Sequence, residues 1–474
     1  MMGEPPRLRL VETEFFERQV RLRLPFRYGI VTMTEAPQAF VRARIRTADG
    51  REGSGMSAEL LAPKWFDKSP ALSNEENFDQ LRRALATAAR TYADIDGWHT
   101  AFGLHAGAAQ ACRERSAGLP PLAAGFGPAL LDRAILDALL RLEGRSVFSA
   151  ARDNLFGLDH ATTPDLAGFA LEAFLHGLRP APTIAVRQTV GLLDALTDAE
   201  AGCEPADGLP RSLEGLIRAY GVRFFKLKLC GDEAADIDRL RAVACVLDTL
   251  PAYRTTLDGN EQFPSAEAVL SLLRRMDESP DLARLRQSVL FLEQPIARAV
   301  ALEQDVGQLA ALVPVEIDES DADIDAFARA RALGYTGVSS KSCKGFYRAL
   351  LNRARCAEWT AEGGRSWFMS AEDLTVQAGL GMQQDLALAS LIGCAHIERN
   401  GHHYVDGMSA APQEEQAAFL AAHPDTYERR LGTVRLAIRD GMIAIASLEV
   451  PGLGSGSLPS LAGLGQPTRL ARPE

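Results

Sequence analysis

The sequence predicts an α/β protein: a modified TIM-type (β/α) barrel carrying an N-terminal α+β capping domain. Three observations carry that expectation. After the Pro-rich connection Leu178-Arg-Pro-Ala-Pro-Thr183, eight short apolar runs alternate with amphipathic helical stretches. Such alternation marks a parallel sheet built from strand-helix units, and eight units close into a barrel. Residues 7–50 alternate polar and apolar positions with turn signals between them, the pattern of an antiparallel sheet. Finally, 474 residues exceed what one hydrophobic core usually organises. The expected division is a cap over residues 1–178, a barrel over 180–425, and a segment 430–474 that packs back onto the cap.

In chain order, Gln38-Ala-Phe-Val-Arg-Ala-Arg-Ile-Arg46 typifies the antiparallel opening. Pro25-Phe-Arg-Tyr-Gly-Ile30 and Leu61-Ala-Pro-Lys-Trp-Phe66 place aromatic rings in loops suited to cover a pocket, which makes Arg27 and Trp65 candidates for substrate contact. From Asn74 to Leu142 the pattern turns helical, and Gly127 to Arg141 repeats apolar residues every three or four. The barrel runs are Ile184–Gly191, Arg223–Cys230, Arg254–Asp258, Val289–Glu293, Val313–Asp318, Thr336–Lys341, Ser366–Ala371 and Cys394–Glu398. The tail from Thr433 to Pro451 alternates around a turn at Asp440-Gly441 and is expected to rejoin the first sheet or cap the barrel.

Composition narrows the partners. A balance of 51 basic against 62 acidic residues, net charge −11, with no long run of either sign, leaves no electrostatic footprint for nucleic acid or an anionic membrane. No uncharged apolar run approaches the roughly 18 residues of a membrane span. The seven cysteines are scattered without metal-ligand spacing and read as reduced thiols. The expectation is a cytoplasmic homo-oligomer acting on a small molecule.

The chemistry gathers at the strand ends, where a barrel keeps its active site. In Arg223-Phe-Phe-Lys-Leu-Lys-Leu-Cys230, side chains two apart share a face, so Lys226 and Lys228 point together, away from Phe225 and Leu227. A buried lysine needs a partner or a lowered pKa. The next strands end in Asp258 (Leu-Asp-Gly-Asn260), Glu293 (Leu-Glu-Gln-Pro295) and Asp318 (Ile-Asp-Glu-Ser320), and the sixth in Lys341. Three oxygen ligands on neighbouring strands suit a hard divalent ion, Mg²⁺ first and Mn²⁺ second. Adjacent strand residues face opposite ways, so only one of Asp318 and Glu319 should line the barrel.

With these motifs the chain resembles the enolase superfamily, on the muconate lactonizing enzyme and dipeptide epimerase side of its mandelate racemase-like members. The resemblance runs from the alternating start through Ala134-Ile-Leu-Asp-Ala-Leu139, the Lys-x-Lys strand, Asp-Gly-Asn, Glu-Gln-Pro, Asp-Glu-Ser and the later lysine to Val450-Pro-Gly-Leu-Gly454. It implies an enolase-like capped barrel, Mg²⁺ on Asp258, Glu293 and Asp318, and removal of the proton α to a substrate carboxylate to give an enediolate. Lys228 and Lys341 are then the acid/base pair on opposite faces of the substrate. Lys226 would lower its neighbour's pKa and help neutralise the enediolate. Asn260 is placed to orient the metal shell or a water.

The likeness is incomplete. Where the family often has Gly-Gly after the sixth-strand lysine, this chain reads Lys344-Gly-Phe-Tyr-Arg348. The seventh strand puts Glu372 or Asp373 where related enzymes contact substrate, and Glu398 ends the eighth. The cluster from His396 to Tyr404, including His402-His403, lacks the spaced third ligand of a zinc site. The preferred function is an isomerase: a racemase, epimerase or cycloisomerase. The alternatives are a lyase on the same machinery, such as a dehydratase or an o-succinylbenzoate synthase-like enzyme, a non-catalytic metal-holding scaffold, and a Schiff-base lyase using Lys228.

Overall fold

The computed structural model describes residues 4–28, 31–462, 464 and 468–471. Strands β1 (Leu8–Tyr28), β2 (Val31–Thr47) and β3 (Glu52–Leu60) form an antiparallel meander. A register irregularity between Arg21 and Phe26 re-aims the tip of the β1–β2 ribbon, as bulges do. Beyond it Phe26 packs on Tyr404 of the barrel, with ring centroids 4.3 Å apart.

Helices α1 (Asn74–Ala93), α2 (Ala101–Arg115) and α3 (Pro121–Leu142) cover the other face of this sheet. Helix α1 starts on a capping box made by Ser73 and Glu76. β3 lies so close to α3 that a Cβ on Gly55 would meet the Ala138 backbone nitrogen at 2.1 Å. Only glycine fits there.

The barrel comprises β4 (Thr183–Val190), β5 (Phe224–Lys228), β6 (Arg254–Asp258), β7 (Val289–Glu293), β8 (Val315–Ile317), β9 (Gly337–Ser340), β10 (Phe368–Glu372) and β11 (His396–Glu398). All eight are parallel, and pairing of β11 with β4 closes the ring. Every strand falls within or beside the run expected for it. The seventh begins two residues late and extends to Glu372, which makes that carboxylate a strand-end group.

Inward positions recur every second residue. Phe224, Phe291, Phe368 and His396 stack as a floor, and the charged residues stand above them. After the barrel the chain adds four short strands. β12 (Tyr427–Arg430) and β13 (Thr433–Leu436) form a hairpin, β14 (Met442–Ala444) joins the barrel along β4, and β15 (Thr468–Ala471) pairs with β1 of the first sheet. The turn at Asp440-Gly441 has positive φ at both residues, 51° and 76°. All seven cysteines are unpaired. Among the described residues no helix is long and apolar enough to cross a membrane.

Candidate active site at the barrel mouth

Strand register sets the geometry. Lys228 lies opposite Asp258, Asp258 opposite Glu293, and Glu293 opposite Glu316. One row of charged side chains therefore crosses four strands, and Asp318 stands two residues further up the β8 side. On the far wall Glu372 lies opposite Glu398, and Glu398 opposite Arg187.

Lys226 is the hub. Its Nζ lies 2.7 Å from Glu293 Oε1, 2.7 Å from Glu398 Oε2, 3.0 Å from Glu372 Oε2 and 3.0 Å from Asp258 Oδ2. Burial pushes its pKa down, but Asp258, Glu293, Glu372 and Glu398 outweigh that and hold it well above the ordinary lysine range. Lys341 donates to Asp318 Oδ1 at 2.7 Å and to Glu372, and it too is raised, by Asp318 and then Glu372 against burial. Its ammonium sits 5.2 Å from the Trp65 ring centroid, a cation–π distance.

Lys228 has Asp258 as its carboxylate partner, at 2.5 Å. Lys226 acts downward on the Lys228 pKa as expected, but it does not set the net direction. Burial and Lys226 do act downward, but the adjoining Asp258 carboxylate outweighs them and the ammonium is held above its usual range.

The carboxylates divide into two kinds. Burial raises Asp318 and Glu372, yet the lysines at each win: Lys341 and Lys344 hold Asp318 low, while Lys226, Lys341 and Arg187 hold Glu372 low. Glu293 and Glu316 go the other way. Burial, then Asp258 and Glu372, pushes Glu293 well up, and burial with Glu372 pushes Glu316 up to about 8. One buried oxygen of each, Oε2, has no hydrogen-bond partner.

Glu293, Glu316 and Glu372 are also the carboxylates whose oxygens gather within 4.8 Å of one another; Asp258 and Asp318 lie outside that grouping. Glu316, Arg187 and Lys344 were not anticipated. The signal for Glu316 was the alternation Glu316-Ile-Asp318, which puts both acids on one face. Arg187 could have been read as a charge stranded inside an apolar strand. Lys344 donates to the Asp318 and Ser339 carbonyls at 2.8 and 2.9 Å, tying the loop after the fifth strand to the sixth.

Trp65, Asn260, Glu372 and Glu398 all line the cavity between cap and barrel, with Phe26, Tyr28 and Met33 from the cap. Asn260 is a backbone device as much as a side chain. At φ 46° its N–H donates to Asp258 Oδ1 at 2.7 Å and its Nδ2 to Glu319 at 3.2 Å. Glu319 faces that network and Lys68, while Asp318 lines the cavity, so only one of the two neighbours turns inward.

Arg27 does not reach the cavity. On β1 it alternates with Phe26 and Tyr28, which take the inner face, and it is exposed. The Trp65 loop is fastened from below: Arg298 Nη2 donates to the Trp65 carbonyl at 3.0 Å and to Glu261 at 2.8 Å, and Lys68 pairs with Glu261. His402 and His403 are buried in a short helix, Gly401–Tyr404, where burial pushes both pKa values down. Among the described residues neither belongs to a ligand cluster.

No protein-family model matches the sequence, and no curated protein matches it. Solved structures do match along nearly its whole length. A mandelate racemase/muconate lactonizing enzyme homologue from Roseovarius nubinhibens ISM superposes with a TM-score of 0.61 at 17% identity, over 98% of this chain and 100% of that one. A member of the enolase superfamily from the same organism, complexed with magnesium, gives 0.57 at 20% identity over 98% and 100%. A dipeptide epimerase from Cytophaga hutchinsonii, complexed with Mg and the dipeptide D-Ala-L-Val, gives 0.58 at 14% identity over 97% and 99%. The fold is therefore that of the enolase superfamily, an antiparallel cap on a closed parallel barrel.

Proposed function

We propose that this protein is a magnesium-dependent enzyme that removes the proton α to a substrate carboxylate, and that it is an isomerase: a racemase, epimerase or cycloisomerase. One observation carries the reading. Lysines from the second and sixth barrel strands, the partly buried Lys228 and the buried Lys341, flank a row of strand-end carboxylates in the cavity between cap and barrel. A structural ion-pair network has no need of three lysines in a site that an aromatic loop closes from water.

The residues fit a divalent ion. The donor set is all oxygen, which suits Mg²⁺, and the Glu293 Oε2 atom is buried without a partner. Glu293 would hold it with Asp258 and Asp318, which lie outside the Glu293, Glu316 and Glu372 grouping and would have to turn from Lys228 and Lys341 to reach it. A bound Mg²⁺ supplies the positive charge that stabilises the enediolate oxygens. Two of the structural neighbours are magnesium complexes, which supports magnesium as the ion.

Lys228 and Lys341 do the proton chemistry. Were Asp258 to hold a cation, Lys228 would lose the carboxylate that holds its pKa up, leaving burial and Lys226 to act downward on it. Lys341 addresses the opposite face, steadied by Trp65. Lys226 and Glu398 lie between them and hold the substrate end of the site in register. The unpaired cysteines suit a reducing compartment, and we place the protein in the cytoplasm.

The test is deuterium exchange at the α-carbon of candidate acids in deuterium oxide with Mg²⁺, followed by product analysis. An isomerase returns the deuterated stereoisomer, and each single Lys→Ala variant at 228 or 341 keeps exchange for one hand only. Native-rate exchange of both hands by both variants would overturn the two-lysine assignment.

A further inference from the structure

We infer that a second cavity, between cap helices α2 and α3 and barrel segments 322–325 and 344–348, is a ligand site for a small organic anion with an apolar body, and that its occupancy is felt at the barrel mouth. Among the described residues the two cavities share no lining residue.

The space measures about 640 Å³, the size of a small-molecule pocket and far above a packing void. Small apolar side chains build its walls, among them Ala106, Ala109, Ala124, Pro128, Ala129 and Ile324. Gly125 of α3 shows that close packing does not explain the opening. Outside its own helix, a Cβ there would meet only Arg348 Nη2, at 3.9 Å, whereas a Cβ on Gly127 would strike the Ala84 carbonyl oxygen at 2.1 Å. Packing therefore requires glycine at 127 and not at 125, where it costs helix stability and leaves room beside Arg348.

The polar lining selects the sign of the ligand. Its acids are engaged: Asp132 accepts the Tyr92 hydroxyl and the His105 Nδ1–H, both at 2.7 Å, and Asp323 pairs with Arg329 at 2.7 Å and accepts the Asp325 N–H at 3.0 Å. Asp325 is exposed. The guanidiniums have capacity left. Arg348 spends Nη1 on the Asp321 carbonyl at 2.9 Å and keeps Nη2 beside the Gly125 gap, and Arg113 has no ion-pair partner among the described residues. Two helices also begin at this wall, α3 at Pro121 and the helix Phe346–Ala361 after Gly345, and both present their positive ends. Guanidinium donors and helix N-termini beside an apolar space suit a carboxylate or phosphate ester on an apolar body.

Two connections link the site to the mouth. Lys344 lines the cavity, while its Nζ donates to the Asp318 and Ser339 carbonyls and lies 2.9 Å from Asp318 Oδ1. Residues 322–325 continue the loop that begins at Asp318, and Arg348 grips that loop at Asp321. An anion bound here adds negative charge behind Asp318 and competes for the same lysine, so it should favour a cation at the mouth. This link rests on the magnesium reading above; the site itself does not.

The experiment uses 2-naphthoate and 2-naphthyl phosphate, which carry an anionic head on an apolar body and have no proton to lose by enolisation. The neutral match is 2-naphthamide and the cationic one 2-naphthylmethylammonium. In calorimetry on the full chain without Mg²⁺, at least one anion should bind about tenfold or more tightly than the amide, and the ammonium should not bind. The stronger of the two anions identifies the head group. Gly125→Leu, which fills the gap, should remove this binding, and Arg113→Gln, at an exposed position, should weaken it about tenfold; circular dichroism checks the fold of each. If Gly125→Leu does not fold, Arg113→Gln and Arg348→Met decide. Failure of both anions to bind, equal binding of the amide, or undiminished binding in the folded variants overturns the site.

Magnesium titrations with and without the anion should show an affinity about threefold higher when the site is filled, and Mg²⁺ should tighten the anion by the same factor. Anion binding with unchanged magnesium affinity overturns the link to the mouth. Anion binding with no magnesium binding at all leaves the second site standing and overturns the reading of the mouth instead, so the two fail separately.

Discussion

Two buried charge networks in this molecule are built on opposite plans. Under the cap, helix α3 carries Arg133, which donates to the Ala58 carbonyl, Gln384 Oε1 and Glu59 Oε2, and Asp137, which accepts the Met56 and Leu453 N–H groups and the Arg141 guanidinium. Each group there meets partners that complete its bonding, and the bonds tie α3 to β3, to the barrel helix Leu380–Leu391 and to the tail. At the barrel mouth one ammonium is shared among four carboxylates while Glu293 and Glu316 keep an unpaired oxygen each. Completed networks hold a fold together, whereas an over-shared one with unmet acceptors waits for a ligand.

The largest break should come at the mouth and in function. Lys228→Ala removes a group with one carboxylate partner, so the protein should stay folded while α-proton exchange on its stereoisomer falls by about 10³-fold or more. Circular dichroism alongside the exchange assay checks both halves. The mirror experiment is Arg133→Met. Arg133 is 1% exposed, and removing it leaves Glu59 buried without its cation. A loss of about 3–5 kcal/mol in denaturant unfolding is expected, with exchange per folded molecule unchanged. Comparable losses of stability from both variants would erase the distinction between the two networks.

Metal addition sharpens the same contrast. Mg²⁺ at a hundredfold excess over its dissociation constant should stabilise the protein by about 2.7 kcal/mol, and Asp258→Asn or Glu293→Gln should abolish that gain. Arg133→Met should retain it in full. A stabilisation that survives in both carboxylate variants would place the ion elsewhere.

How much of this was legible in the sequence follows from the same contrast. The barrel was readable because parallel strands buried on both faces appear as short apolar runs, and Asp258, Glu293, Asp318 and the lysines stood out as charges at the ends of those runs. The pairing was not readable. That Lys226 joins four carboxylates depends on strands distant in sequence meeting across a closed ring. Glu316 and Arg187 were masked because a short strand gives few positions from which to tell a buried charge from an edge one. Arg27 was misplaced for a local reason: a single-residue alternation at the tip of β1 decides whether the arginine or its aromatic neighbours face the barrel, and the bulge before Phe26 sets that choice without a sequence mark of its own.

Stability should also depend on pH, where the mouth and the histidine cluster should pull in opposite directions. Glu316 has its folded pKa raised to about 8, so in metal-free protein its contribution is fully present below the ordinary glutamate range and is lost as pH rises through about 8. His403 has its folded pKa lowered to about 3 by burial and the nearby Arg23. The unfolded chain therefore binds that proton first as pH drops below about 6.5, and stability falls on the acid side until the folded pKa is reached. Each contribution has a slope of about 1.4 kcal/mol per pH unit inside its window. Glu316→Gln should flatten the loss between pH 5 and 8 measured with a chelator present, and His403→Asn the loss between pH 6.5 and 4, so the His403 difference between pH 7 and pH 5 is about 2 kcal/mol. Urea midpoints at three pH values measure both. If His403→Asn instead steepened the acid limb, the imidazole would be charged in the fold, and the cluster after the eighth strand would be an ion-pair site like the mouth and not the closed, neutral packing that distinguishes it.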